Sequence, residues 1–180
     1  MTYHSYKRIV SESAVFLAFM SLLSIFSGYT LESNLQVLLT YPVLLLVLPA
    51  FIGASGNLAG TFSARLTQGT HLEPGKALLV NAKATLLLAL LFYLVLGFAG
   101  FGVGAVLGMT LPTLERFILI IVIGGVLVVL LSVALAVWTA GLILRHRLDP
   151  DNFEAPLLST FADLAGVLIL ITISRTVLGV

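Results

Sequence analysis

One carboxylate in this sequence lies where an ionised group is costly. Asp163 is followed by ten residues that carry no other charge. If a helix begins near Pro156, Asp163 lies about 10 Å along it, at about 1.5 Å per residue. Within a lipid bilayer, an ionised side chain at that depth costs at least about 2.5–3.5 kcal/mol. A water-filled cavity, a bound cation or proton uptake must therefore offset the cost.

The residues one helical turn from Asp163 are small or carry hydroxyl groups. Ser159 and Thr160 precede it by four and three residues, and Gly166 follows it by three. These spacings predict that all four residues share one face of the helix. A polar face that carries an acid, on an otherwise apolar helix, indicates a path for cations. The alternative is that Asp163 only bonds hydroxyl groups and holds helices together; we favour the cation path, because acids inside membrane helices are mostly functional.

A second stretch of small and polar residues covers residues 49–66, PAFIGASGNLAGTFSARL. Gly56 and Gly60 form a GxxxG pair, which permits close helix packing, and packing alone explains these glycines at least as well as a pore does. Asn57 is different, because its amide needs hydrogen-bond partners in lipid. One carboxylate per chain, doubled by two-fold symmetry, would suit hydrated Mg²⁺, which is often held through its waters by one or two carboxylates.

The composition defines the class of protein that must position these residues. The 180 residues are 59% hydrophobic and 9% charged, whereas soluble domains carry about 25% charged residues. We therefore expect an all-α integral membrane protein in the lipid bilayer. A net charge of +1 with scattered basic residues argues against nucleic acid as a partner. The chain has no cysteine, which excludes disulfides and thiolate metal sites.

Five segments are long and apolar enough to span a membrane. We expect helices over residues 11–30, 35–66, 77–98, 113–144 and 156–178. The second segment contains Pro42 and Pro49, which predict a tilted and kinked helix. The glycine-rich residues 97–108 either extend the third helix as a packing face, which we favour, or form a loop shielded by protein.

The charges predict how the segments cross the membrane. With five spans, seven of the nine Lys and Arg residues fall on one side, which places the N-terminus inside and the C-terminus outside. Residues 145–156, RHRLDPDNFEAP, are the most polar stretch and are expected to be solvated. Five spans do not divide into two equal halves, so a pore built from two copies needs a second chain.

Two motifs resemble those of a known family. LPAFIGASGNLAGTFSARLTQG resembles the second-helix signature of MgtE-type magnesium channels, and LDPDNFEAPLLSTFADLAG resembles their fifth-helix signature. The motifs occur in the family's order, in two of five helices. No soluble regulatory domain is expected ahead of the first helix, so the chain is similar to single-unit archaeal relatives, or to one half of the eukaryotic solute-carrier magnesium transporters.

The resemblance implies a homodimer in the plasma membrane, with a path for divalent metal ions between the two copies. It implies that Asp163 holds hydrated Mg²⁺, the transported ion, with help from Asn57 and from backbone near Gly56 and Thr160. Asp149 would draw cations to the inner mouth. The predicted metal-site residues are Asp163, Asn57, Gly56, Thr160, Ser159 and Asp149. For Asp151 and Glu154 we favour a simpler explanation, a solvated turn.

Other functions remain open at this stage. The chain could exchange Mg²⁺ for H⁺ or Na⁺ at Asp163, or it could be a membrane subunit that transports nothing. Enzymatic activity is not expected, because the spans contain no Ser/His or His/Glu cluster and a single aspartate is poorly suited to acid–base chemistry. The choice among Mg²⁺, Co²⁺, Mn²⁺ and Ca²⁺ is also open.

Overall fold

The computed structural model describes residues 6–67, 74–146 and 150–179. Within these ranges the helices are α1 (Tyr6–Ser33), α2 (Leu35–Thr40), α3 (Val43–Thr67), α4 (Pro74–Val106), α5 (Leu114–His146) and α6 (Pro150–Leu178). All of these except the short α2 are long and apolar enough to cross a membrane, which gives five candidate spans in the described residues. The prediction of an all-α protein with five helices that are able to span a membrane is confirmed for the described residues.

The second predicted segment is divided by Pro42 rather than kinked. Helix α2 ends at Thr40, and Tyr41 has φ −130° and ψ 82°. The residue before a proline avoids helical geometry because the proline ring crowds its backbone, and this ends α2. Helix α3 begins at once, and the Leu44 N–H donates to the Tyr41 carbonyl at 2.9 Å. Pro49 lies inside α3 without ending it.

The glycine-rich residues extend the fourth helix, as the favoured interpretation predicted. Helix α4 continues to Val106 and ends where Gly108 adopts a φ of +67°. The Met109 N–H donates to the Gly104 carbonyl at 2.9 Å, which is the hydrogen bond of a Schellman cap. Gly104 also lets α4 approach α3, because a Cβ at that position would lie 2.9 Å from Val43 Cγ2.

A buried tyrosine joins three of the helices. Tyr93 on α4 is fully buried, and its hydroxyl donates to the Phe51 carbonyl of α3 at 2.9 Å. The same hydroxyl is hydrogen-bonded to Ser55 Oγ. Gly125 on α5 makes room for the ring, since a Cβ there would overlap it. These contacts fix the orientation of α3 against α4 and α5.

The expected solvated turn around Glu154 is wrong. Helix α5 continues to His146 and α6 already begins at Pro150, so Glu154 lies in a helix and is only 4% exposed. Its Oε1 is 3.1 Å from Thr139 Oγ1 on α5. The helical backbone directs this carboxylate toward α5. There the Thr139 hydroxyl takes the place of a water molecule as its hydrogen-bond partner. The side chain of Asp151 is outside the described part of the structure.

The contact between Thr139 and Glu154 can be tested by substitution. We expect Thr139→Val to lower the free energy of unfolding by about 1–3 kcal/mol, because a buried carboxylate then loses a hydrogen-bond partner. Denaturant unfolding in detergent, followed by circular dichroism, measures this change.

The matched control is Thr172→Val, since Thr172 is exposed and its hydroxyl bonds only the Leu168 carbonyl of its own helix. The control is expected to stay within about 0.5 kcal/mol of the native protein. Equal losses for the two variants would contradict the assigned contact.

Candidate functional site

A pocket of about 440 Å³ opens between α3 and α6, and Asp163 lines it. The lining residues are Ile52, Gly53, Gly56, Asn57, Gly60, Thr61, Ser159 and Asp163. Among the described residues that line the pocket, Asp163 has the only charged side chain. The structure therefore brings together in space the two stretches that the sequence analysis selected separately.

Glycines set the close approach of the two helices around the pocket. A Cβ on Gly166 would lie 2.7 Å from Ile52 Cγ2, so the absence of a side chain there lets α6 rest on α3. At Gly56 a Cβ would lie 3.5 Å from Ser159 Cα, an ordinary contact distance. Gly166 is buried and is not part of the pocket lining. Its contribution is helix packing, whereas Gly56 lies at the pocket itself.

The two hydroxyl residues before Asp163 have different surroundings. Ser159 is exposed and lines the pocket. Thr160 is 8% exposed and is absent from the lining. A contribution of Thr160 to metal binding stays a prediction that this pocket does not support. Asp149, predicted at the inner mouth, lies outside the described residues.

Asp163 is half-buried and supplies a single carboxylate to the pocket. On its other side, helix α1 packs against α6, and Ser27 Oγ donates to the Asp163 backbone carbonyl at 3.5 Å. In the described ranges no three His, Cys, Asp or Glu side chains lie together as a metal-binding group.

The structure adds one polar residue that the sequence analysis missed. Thr61 lines the pocket one helical turn beyond Asn57, and its Oγ1 donates to the Asn57 backbone carbonyl at 2.8 Å. The side chains of Asn57 and Thr61 are both exposed on α3. The four-residue spacing from Asn57 was the available signal. The pocket thus offers amide, hydroxyl and carboxylate oxygens, the ligand types that magnesium and calcium prefer.

Comparison with protein families identifies the chain. The model of the MgtE family, described as divalent cation transporters, matches residues 48–173, which is more than two thirds of the chain. This chain belongs to the MgtE family. The match contains α3 from Leu48 onward and the Asp163 turn of α6, so it includes both sides of the pocket. No curated protein matches the chain. With five candidate spans, the family assignment identifies a multi-pass membrane protein.

The different surroundings of Ser159 and Thr160 can be tested by cysteine labelling, because the chain has no cysteine of its own. We expect Ser159→Cys to react with a charged, water-soluble thiol reagent at least about tenfold faster than Thr160→Cys, since thiolate chemistry requires water access. Mass spectrometry of the labelled protein in liposomes measures both rates. Faster reaction at position 160, or none at position 159, would contradict a wet pocket lined by Ser159.

Proposed function

We propose that this chain transports divalent cations, with Mg²⁺ as the physiological ion, across the plasma membrane. The observation that carries the proposal is the half-buried carboxylate of Asp163, which lines the same pocket between two membrane helices as Asn57. An ionised acid at this depth is stable when water or a cation accompanies it. Membership of a divalent cation transporter family makes the cation the better explanation.

The chemistry of the pocket suits a hydrated ion. Mg²⁺ gives up its water ligands reluctantly and is commonly held by one or two carboxylates with several waters still bound. In this pocket, Asp163 would accept hydrogen bonds from water on the ion, and the oxygens of Asn57, Thr61 and Ser159 would accept others. The pocket volume of about 440 Å³ leaves room for those waters.

A second copy of the chain would complete the site. Leu46, Ala50, Gly53 and Asn57 are exposed along α3, and their spacing of three or four residues makes one face. An Asn57 side chain facing lipid would lack hydrogen-bond partners. In a two-fold symmetric dimer that joins these faces, each protomer contributes one Asp163, and two carboxylates match the charge of one divalent cation.

The proposed orientation places the N-terminus inside and the C-terminus outside, following the distribution of Lys and Arg. An inside-negative potential then drives the cation inward. The driving force is about 2.3 kcal/mol per charge for each 100 mV, and a divalent ion gains twice that amount. Uptake without a second energy source is the resulting expectation.

The role of Asp163 is tested by Asp163→Asn, which keeps the shape of the side chain and removes its charge. We expect Mg²⁺ uptake into liposomes, measured with an entrapped fluorescent indicator, to fall at least about tenfold, the loss usual when a group that supports a metal site is removed.

Glu115→Gln is the control, since Glu115 is an exposed acid on α5 outside the pocket. It is expected to transport at the native rate. If Asp163→Asn elutes as the native protein does and keeps its rate, the assignment of Asp163 fails. Uptake that requires an opposing H⁺ or Na⁺ gradient would favour exchange over a channel.

The proposed dimer is tested at Gly53, which has no atom within 4 Å of a Cβ built on it. A Cβ at this position meets no atom of its own protomer, and a bulky side chain would separate two α3 faces. We expect Gly53→Trp to convert dimers to monomers in light-scattering measurements, without lowering the melting temperature of the protomer. Gly102→Trp is the control, because Gly102 is equally open and lies on α4. A dimer that persists in Gly53→Trp would exclude this interface.

A further inference from the structure

A second pocket, of about 720 Å³, lies near the C-terminal end of α6. Its polar lining is Glu32, Ser33, Asn34, Gln36, Thr40 and Arg175. Arg175 follows Asp163 by twelve residues, about 18 Å along a helix, so this pocket is separate from the Asp163 pocket. The spans that flank it end nearby, at Ser33 on α1 and at Leu178 on α6. The pocket therefore lies where hydrocarbon gives way to lipid headgroups.

The pocket contains one acid and one base among its described lining residues. Glu32 and Arg175 both line it and both are exposed. No ion pair within 4.0 Å joins them in the described part of the chain. Within the part of the chain that the structure describes, no other charged residue belongs to the lining. The pair remains available for a ligand that carries a negative and a positive group a short distance apart.

The surroundings of the pocket suit a lipid rather than a free solute. Asn34 uses its Nδ2 to donate to the Thr30 carbonyl at 2.7 Å, which leaves its amide oxygen as an acceptor. Toward the membrane centre, α1 exposes large apolar side chains. They include Leu22, Ile25, Phe26 and Tyr29, each more than half exposed. Acyl chains can lie along this surface while the headgroup occupies the pocket.

We propose that this pocket binds the headgroup of a phospholipid that carries a phosphate and a primary amine, a phosphoethanolamine lipid. Arg175 would bind the phosphate, for which a guanidinium group is well suited, and Glu32 would accept hydrogen bonds from the ammonium group. The lining contains no aromatic side chain, so a quaternary ammonium group would find no cation–π partner there. Arg175 disfavours a bare metal cation, and Glu32 disfavours an anionic headgroup.

Binding of lipids to the purified, delipidated full-length chain tests the proposal, with native mass spectrometry as the measurement. The probes are phosphatidylethanolamine, phosphatidylcholine and phosphatidylglycerol with identical acyl chains, soluble glycerophosphoethanolamine, and Mg²⁺ alone. We expect phosphatidylethanolamine to bind about fivefold more tightly than either other lipid, the factor expected for one charge near the headgroups.

Two variants separate the roles of the two charges. Glu32→Gln is expected to abolish the preference for phosphatidylethanolamine over phosphatidylglycerol. Arg175→Gln is expected to weaken the binding of all three lipids about fivefold. Glu115→Gln and Arg116→Gln make the same charge changes at exposed positions outside the pocket, and they are expected to bind as the native chain does. Glu32→Asp and Arg175→Lys keep the charges and are expected to keep the preference.

The proposal fails if the native chain binds the three lipids equally. This outcome is measured on the native chain alone, so it does not depend on whether any variant folds. It fails if Glu32→Gln and Arg175→Gln bind as the two controls do. Soluble glycerophosphoethanolamine that binds as tightly as the lipid would overturn a lipid ligand. If Mg²⁺ displaces phosphatidylethanolamine, and does so more strongly in Arg175→Gln than in the native chain, the pocket is a cation site instead.

Discussion

The constraint on which this structure depends is the cost of one negative charge inside a membrane helix. Asp163 cannot face lipid as an ion without a loss of several kcal/mol. The packing of α3 on α6 meets this constraint by leaving a pocket beside the carboxylate, into which Asn57, Thr61 and Ser159 bring polar groups. At Gly166 the absence of a side chain brings α6 onto Ile52, and Gly56 adds no side chain to the space that the two helices enclose.

The rest of the bundle holds α3 in the orientation that the pocket requires. Tyr93 bonds the backbone of α3 at Phe51, and its ring occupies the space that Gly125 leaves open. One side of α3 is therefore committed to contacts with α4 and α5. The side that carries Gly53 and Asn57 remains exposed in a single chain. Rigid packing on one side of the helix thus decides which of its polar groups reach the surface.

Helix α6 carries two carboxylates with different surroundings. Glu154 and Asp163 are nine residues apart, which is about half a turn in angle at about 3.6 residues per turn. Glu154 consequently faces α5 and contacts the Thr139 hydroxyl, whereas Asp163 faces the pocket beside α3. A buried hydrogen bond accommodates the first carboxylate, and an open pocket accommodates the second. Only the second has space beside it for an ion with its waters.

The sequence alone determined that five segments can span a membrane and selected the Asp163 and Asn57 stretches as candidates, because hydropathy and the cost of a buried charge are properties of local residue types. The tertiary structure decided matters that depend on the rotation of one helix against another. It separated Ser159 from Thr160, gave Gly166 a packing role and added Thr61 to the pocket. It also buried Glu154, which local polarity had assigned to water. Helical periodicity predicts which residues share a face, but the neighbours that cover that face come from distant parts of the chain.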